Sequence, residues 1–210
     1  MQMAWNENHI SLVGQVGQQP VRSHENHGVV YYRFPLHVCR LSGAEDILNV
    51  VVSEILLRKT EIEEGDLLAI SGEVRSYNNR SGMGSKLVIT VYARSLELGD
   101  GEHKNELVLA GVLCKPPVVR RTPLGREICD MMLAVNRKYG RADYLPCIAW
   151  GGLAQWCGGL DVGDGLKLSG RLQSRQYTKE ENGEVIYRTA FEVSIMTLES
   201  VEESLTRSRF

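Results

Sequence analysis

The sequence predicts an all-β chain of two tandem five-stranded barrels, each with a short helix between its third and fourth strands. Three observations carry this reading. The chain repeats itself at a shift of about 97 residues. Its apolar residues alternate in short runs bounded by turn residues. The pattern G-D-x-L-x-x-S-G occurs twice, at 65–72 and 163–170.

The repeat comes first, because it decides the architecture. HISLVGQVGQQPV (9–21) parallels ELVLAGVLCKPPV (106–118), with Gly14 on Gly111 and Pro20 on Pro117. EEGDLLAISGEV (63–74) parallels DVGDGLKLSGRL (161–172), and SLEL (95–98) parallels TLES (197–200). Three matches in one order give a unit of roughly 95 residues. The expected division is a first domain over 1–100, a linker at 101–104 inside the polar stretch GDGEHK, a second domain over 105–200 and a short tail over 201–210.

Each unit reads alike. A first strand (9–18, 106–114) is followed by a turn carrying Pro and Gly. A second strand (29–40, 127–137) and a third (46–52, 143–150) come next. The helix-like stretches SEILLRKTEIEE and GGLAQWCGGLDV precede the G-D turn. A fourth strand (66–77, 165–178) and a fifth (86–98, 185–198) close the unit. Five strands with a helix after the third is the order of the OB-fold, a barrel that often binds oligonucleotides on one face. In LKLSGRLQSRQY (166–177), Leu166, Leu168, Gly170 and Leu172 share one face. Lys167, Ser169, Arg171, Gln173, Arg175 and Tyr177 share the other, a solvated face or a binding one.

Composition bounds the class. The 210 residues are 43% hydrophobic and 24% charged, as globular chains are. No run approaches the ~20 apolar residues of a membrane span, and MQMAWNENHI does not read as a secretory signal, so a cytoplasmic protein is expected. Cys39, Cys114, Cys129, Cys147 and Cys157 show no C-x-x-C spacing, so reduced thiols and no metal site are expected. His24 and His27 read as a solvated loop. No cofactor is implied. The formal charge is −2, but it is unevenly spread. Residues 1–104 hold 10 Lys/Arg and 13 Asp/Glu, a net of −3; residues 105–175 hold 10 and 6, a net of +4.

The second unit resembles the bacterial single-stranded-DNA-binding protein family over about 105–198. The matching elements are Asn105, Gly111 and Leu113; then Pro117, Arg120, Thr122, Pro123 and Gly125; then LAV at 133–135 and ADYLPCIAWGGLAQW at 142–156. Gly170, Leu172, Ser174, Arg175, Tyr177, Thr178 and Lys179 follow, then EENGE and YRT at 187–189. The chain is also similar to primosomal replication protein N. The resemblance implies sequence-independent binding and protection of single-stranded DNA in replication, recombination or repair. It places base-stacking aromatics at Tyr139, Tyr144, Trp150 and Tyr177. Stacking a base on such a ring contributes on the order of 1–3 kcal/mol whatever the base. Arg120, Arg121, Arg126, Arg137, Lys138, Arg141, Lys167, Arg171, Arg175, Lys179 and Arg188 interleave with these rings and would neutralise phosphates. Trp156 is expected in a core or an interface.

The first unit departs from the pattern. Ala69 and Glu73 stand opposite Lys167 and Arg171, and ILNVVVS (47–53) has no aromatic. Arg40, Arg75 and Tyr77 remain as accessory candidates, and Tyr31, Tyr32 and Trp5 offer further rings. The second barrel is therefore expected to carry most DNA contacts and the first to be accessory. A homodimer with four barrels is expected from the resemblance. Family members end in a Gly-rich stretch with an acidic tip, whereas this sequence ends VEESLTRSRF, so recruitment of replication proteins through such a tip is not expected. A protein-interaction module of primosome type and an RNA binder are the alternative functions. An enzyme is not expected, for lack of a nucleophile, base or metal constellation.

Overall fold

In the computed structural model, which describes residues 7–79, 85–138, 140–181 and 184–200, almost every element is a strand. The first repeat gives β1 (Asn8–Val16), β2 (Val21–Asn26), β3 (Val29–Cys39), β4 (Glu45–Ser53), α1 (Glu54–Leu57), β5 (Leu67–Asn78) and β6 (Leu87–Leu98). The second gives β7 (Lys104–Leu113), β8 (Val118–Arg121), β9 (Glu127–Asn136), β10 (Ala142–Trp150), α2 (Gly152–Cys157), β11 (Gly165–Glu181) and β12 (Glu184–Ser200). All ten expected strands are present. β2 and β8 are additions in the segments read as turns. Every residue of both is exposed, so neither carries the alternation that betrays a half-buried strand. β2 joins β3 through His27 and Gly28, both at positive φ, as a two-residue hairpin turn requires. HENH is thus part of a hairpin rather than a loop. The helices are shorter than the stretches read for them, and α2 stops at the Gly158–Gly159 pair.

In the first repeat β1 pairs with β3, β3 with β4, β4 with β6 in parallel, β6 with β5, and β5 with β1 again. The ring closes, leaving β2 on its rim. The second repeat closes in the same order through β7, β9, β10, β12 and β11. This is the OB-fold barrel. Its interior is aliphatic: Leu12, Leu36, Leu48 and Leu68 in one ring, Leu109, Leu133, Leu145 and Leu166 in the other, all at most 1% exposed.

The G-D signature has a mechanical role. Gly65 and Gly163 take positive φ (94° and 105°), where only glycine is unstrained. The following aspartates close the turn: Glu63 N–H donates to Asp66 Oδ2 at 2.7 Å and Asp161 N–H to Asp164 Oδ2 at 2.8 Å. Val16 N–H donates to Asp66 O and Gly65 N–H returns to Val16 O, both at 2.8 Å. Leu113, Asp164 and Gly163 repeat this at 2.9 Å. The end of each first strand is thereby pinned to the start of the fourth.

By contact, the described residues form two compact units. One comprises His9–Glu106 with Gln173–Phe191; the other comprises Leu107–Leu172 with the strand from Glu192 onward. The outer halves of β11 and β12, an arm of the second repeat, thus group with the first ring. Ser174 N–H donates to Asp46 Oδ1 at 2.7 Å, and Ile47 N–H donates to Ser174 Oγ at 2.9 Å. Gln173, expected on the outer face, is only 6% exposed where this arm begins. Burial also raises the thiols of Cys129, Cys147 and Cys157 above their ordinary range, Cys157 to about 12. They pack as small apolar groups.

Both rings need glycine where strands press together. A Cβ on Gly111 would lie 2.5 Å from Ala134 O, and one on Gly14 2.6 Å from His37 O. On Gly170 and Gly72 it would collide with Ser194 O and Tyr92 O. Gly170→Ala should therefore lower unfolding stability by about 1–3 kcal/mol. Gly152→Ala, with nothing within 4 Å of the new methyl, should leave stability equal or slightly higher. Urea denaturation of the two variants checks this.

Candidate nucleic-acid interface

β10 exposes Tyr144 and Trp150, while Ile148 between them is buried. Tyr144 is 50% exposed and Trp150 38%, while Asp143, Leu145, Cys147 and Ala149 point into the barrel. Six residues of strand separate the two rings by about 20 Å. Register extends the face sideways: Tyr144 pairs with Ala134, Ala134 with Val112 and Val112 with Gly165, two residues before Lys167. At the other end Trp150 pairs with Ile128 and Ile128 with Arg120.

Cations sit at both ends of this face. The β8–β9 turn, closed by Thr122 N–H to Arg126 O at 2.9 Å, presents Arg126 at the Trp150 end. The β9–β10 turn, closed by Arg137 N–H to Arg141 O at 2.6 Å, presents Lys138 and Arg141 at the Tyr144 end. The side chains of Arg126, Lys138 and Arg141 are exposed and meet no carboxylate among the described residues. Lys167 lies 2.7 Å from Glu7 Oε2 in an exposed pair; such pairs contribute little and are easily exchanged for a phosphate.

Other predicted cations are already held. Arg137 Nε donates to Asp143 Oδ2 at 2.7 Å and its Nη2 binds Oδ1, and Asp143 is fully buried. The first ring repeats this clamp: Arg40 reaches Asp46 at 2.7 and 2.5 Å, and Asp46 is also fully buried. Arg40 and Arg137 therefore neutralise buried carboxylates at the feet of their hairpins. Arg120 holds Asp130, one contact being 3.2 Å. Glu127 accepts from Gln155 at 2.7 Å and Arg121 at 3.1 Å. These two bonds keep its carboxyl below the usual range and tie α2 to β9. Arg75 and Arg94 share Glu73.

The remaining candidates divide. Arg171 is half-buried in the second unit. Arg175, Tyr177 and Arg188 belong to the arm that groups with the first ring, as do Arg75 and Tyr77 of β5. The Arg175 guanidinium stands 5.8 Å from the Tyr177 ring centre, and Tyr77 is 55% exposed. Tyr139, Trp5, the tail from 201 and the side chain of Lys179 lie outside the described residues. Trp156 is not in the barrel core but 43% exposed on α2. Sequence reasoning missed Tyr187, which is 77% exposed beside Arg188; its place in the YRT segment was the available signal.

Among the described residues no group of His, Cys, Asp or Glu is arranged to hold a metal ion, and no helix is long and apolar enough to cross a membrane. The geometry is that of a surface able to stack planar rings and neutralise anions.

Residues 104–199 match the model of the Single-strand binding protein family. The second repeat thus carries this family's domain. A single-stranded DNA-binding protein of Thermus aquaticus is 38% identical over 93 residues, 42% of this chain and 35% of that relative. One from Halalkalibacterium halodurans is 31% identical over 102 residues, 45% of this chain and 61% of the relative. These alignments thus span from about a third to three fifths of the relatives' length. A solved structure of a deletion mutant of the Thermus aquaticus single-stranded DNA binding protein matches with a TM-score of 0.75 at 25% identity, covering 94% of this chain and 96% of that one. The structural likeness takes in both rings, whereas the single-strand binding family match lies in the second repeat.

The clamp and the free cations should separate in experiment. Arg137→Ala strands the buried Asp143 and should cost about 3 kcal/mol of stability. Arg141→Ala should change stability by less than about 0.5 kcal/mol and weaken binding of a polyanion instead. Thermal unfolding and heparin-column retention of the two variants test this.

Proposed function

We propose that the chain binds single-stranded DNA without sequence preference and protects it during replication, recombination or repair in the cytoplasm. The observation that carries this reading is the β10 face, with Tyr144 and Trp150 half exposed and Arg126, Lys138 and Arg141 at its two ends. The match of residues 104–199 to the single-strand binding family supports it. Binding is stoichiometric: unpaired bases stack on the rings while the cations replace counterions along the backbone. Duplex DNA binds weakly, because paired bases hide their faces. The three exposed cations Arg126, Lys138 and Arg141 of that face give a log–log salt slope of about −2.

Titration with oligo-dT should quench tryptophan emission, and Trp150→Phe should remove much of the quenching. Raising salt should weaken binding with at least the slope given. A chain that is neither quenched by nor retained on single-stranded DNA would sink the proposal.

We also propose a homodimer, which would bring four OB-folds together as a closed two-fold assembly. Light scattering at micromolar concentration should report twice the 23.5 kDa chain mass; a strict monomer contradicts it.

A further inference from the structure

The first ring lacks an aromatic on β4, yet it carries one on each neighbouring strand. At the 97-residue shift, Ser53 occupies the place of Trp150 and Tyr31 the place of Ile128. Tyr31 pairs directly with Ser53, as Ile128 pairs with Trp150. On the other side, Tyr92 lies beside Val51 of β4. It answers to Ser194, since the equivalent glycines Gly72 and Gly170 abut the Tyr92 and Ser194 carbonyls. The second ring therefore reads Ile–Trp–Ser across three strands, and the first reads Tyr–Ser–Tyr.

These tyrosines form one surface group. Their ring centres are 5.7 Å apart at 44°, and their hydroxyls are hydrogen-bonded at 2.9 Å. His24 of β2 stacks on Tyr31 at 4.9 Å and 8°. The Arg94 guanidinium covers Tyr92 at 4.7 Å. Arg75 and Arg94 share the carboxylate of Glu73. Burial, with the Tyr31 hydroxyl bond, raises Tyr92 to about 12, so its ring stays neutral at ordinary pH. His24 and Arg94, both exposed, are planar groups lying over the faces on which a base would stack.

We infer that Tyr31 and Tyr92, with Arg94 and His24, form a second base-stacking site for single-stranded DNA on the first ring, replacing the missing β4 aromatic from the flanking strands. This rests on the single-stranded-DNA reading above. It differs from the accessory set Arg40, Arg75 and Tyr77, of which Arg40 is held by the buried Asp46.

The test compares Tyr31→Ala/Tyr92→Ala with Tyr31→Phe/Tyr92→Phe, on a short oligo-dT and on one several times longer. Losing a stacked ring should weaken the longer oligonucleotide about tenfold and shorten the occluded length on poly-dT. Short-oligonucleotide binding, reported by Trp150 in the second ring, should stay unchanged. The Phe pair should behave as wild type, because it keeps the rings and loses only the hydroxyl bond. A folded Ala pair with unchanged long-strand affinity and occluded length overturns the inference, as does a Phe pair as impaired as the Ala pair. Photo-cross-linking of the wild-type chain to an iodouracil-substituted strand guards against a misfolded variant. Cross-links on Tyr31 or Tyr92 support the site, and cross-links confined to 107–172 overturn it. A wild-type chain that binds no oligo-dT overturns the parent reading and this one together, whereas failure here alone leaves the short-strand binding intact.

Discussion

Each ring depends on closure, the pairing of its first strand with both the second and the fourth. A five-stranded sheet can seal its edges only by curling tightly, and curling brings backbones closer than a side chain permits. Gly14 and Gly72 in one ring, Gly111 and Gly170 in the other, sit where a methyl would strike a carbonyl of the adjoining strand. The G-D turn then fixes where the fourth strand begins, and the register of the ring follows from that pin. Closure sends alternate residues inward and outward, so the exposed face of β10 is a consequence of the packed one.

Charge obeys the same geometry. A carboxylate pointing into a barrel must be neutralised where it lies, because an isolated buried charge is costly. Asp46 and Asp143 are each met by an arginine six residues earlier, across the hairpin between the second and third strands. Those arginines are spent on the fold. The cations left for a polyanion at the β10 face are those in turns, Arg126, Lys138 and Arg141, which no carboxylate reaches among the described residues. A +4 stretch of sequence thus resolves into fewer working charges than its composition suggests, and they gather at the ends of one strand pair.

The two rings share a scaffold and differ in what it displays. Equivalent positions hold Ser53 and Trp150, Tyr31 and Ile128, Tyr92 and Ser194. Both rings display aromatic side chains at these positions but on different strands, which a comparison of one strand with its counterpart does not detect. The arm Gln173–Phe191 complicates any division of labour by repeat, since Arg175, Tyr177 and Arg188 group with the first ring while their sequence belongs to the second.

Much of this was legible without coordinates. Repetition at 97 residues, alternation along 166–172 and the paired G-D turns determined two five-stranded barrels, because strand periodicity and turn chemistry are local properties. The family-matched aromatics Tyr144 and Trp150 were legible too, and both are exposed on one face. β2 and β8 were not, because a wholly exposed rim strand has no apolar period. Arg40 and Arg137 read as free cations, because only pairing across a hairpin reveals the aspartates that hold them. The grouping of the arm, the burial of Gln173 and the Tyr31–Tyr92 pair were decided by tertiary structure alone. Each depends on which residues the closed ring brings together from distant parts of the chain, and no local pattern encodes that.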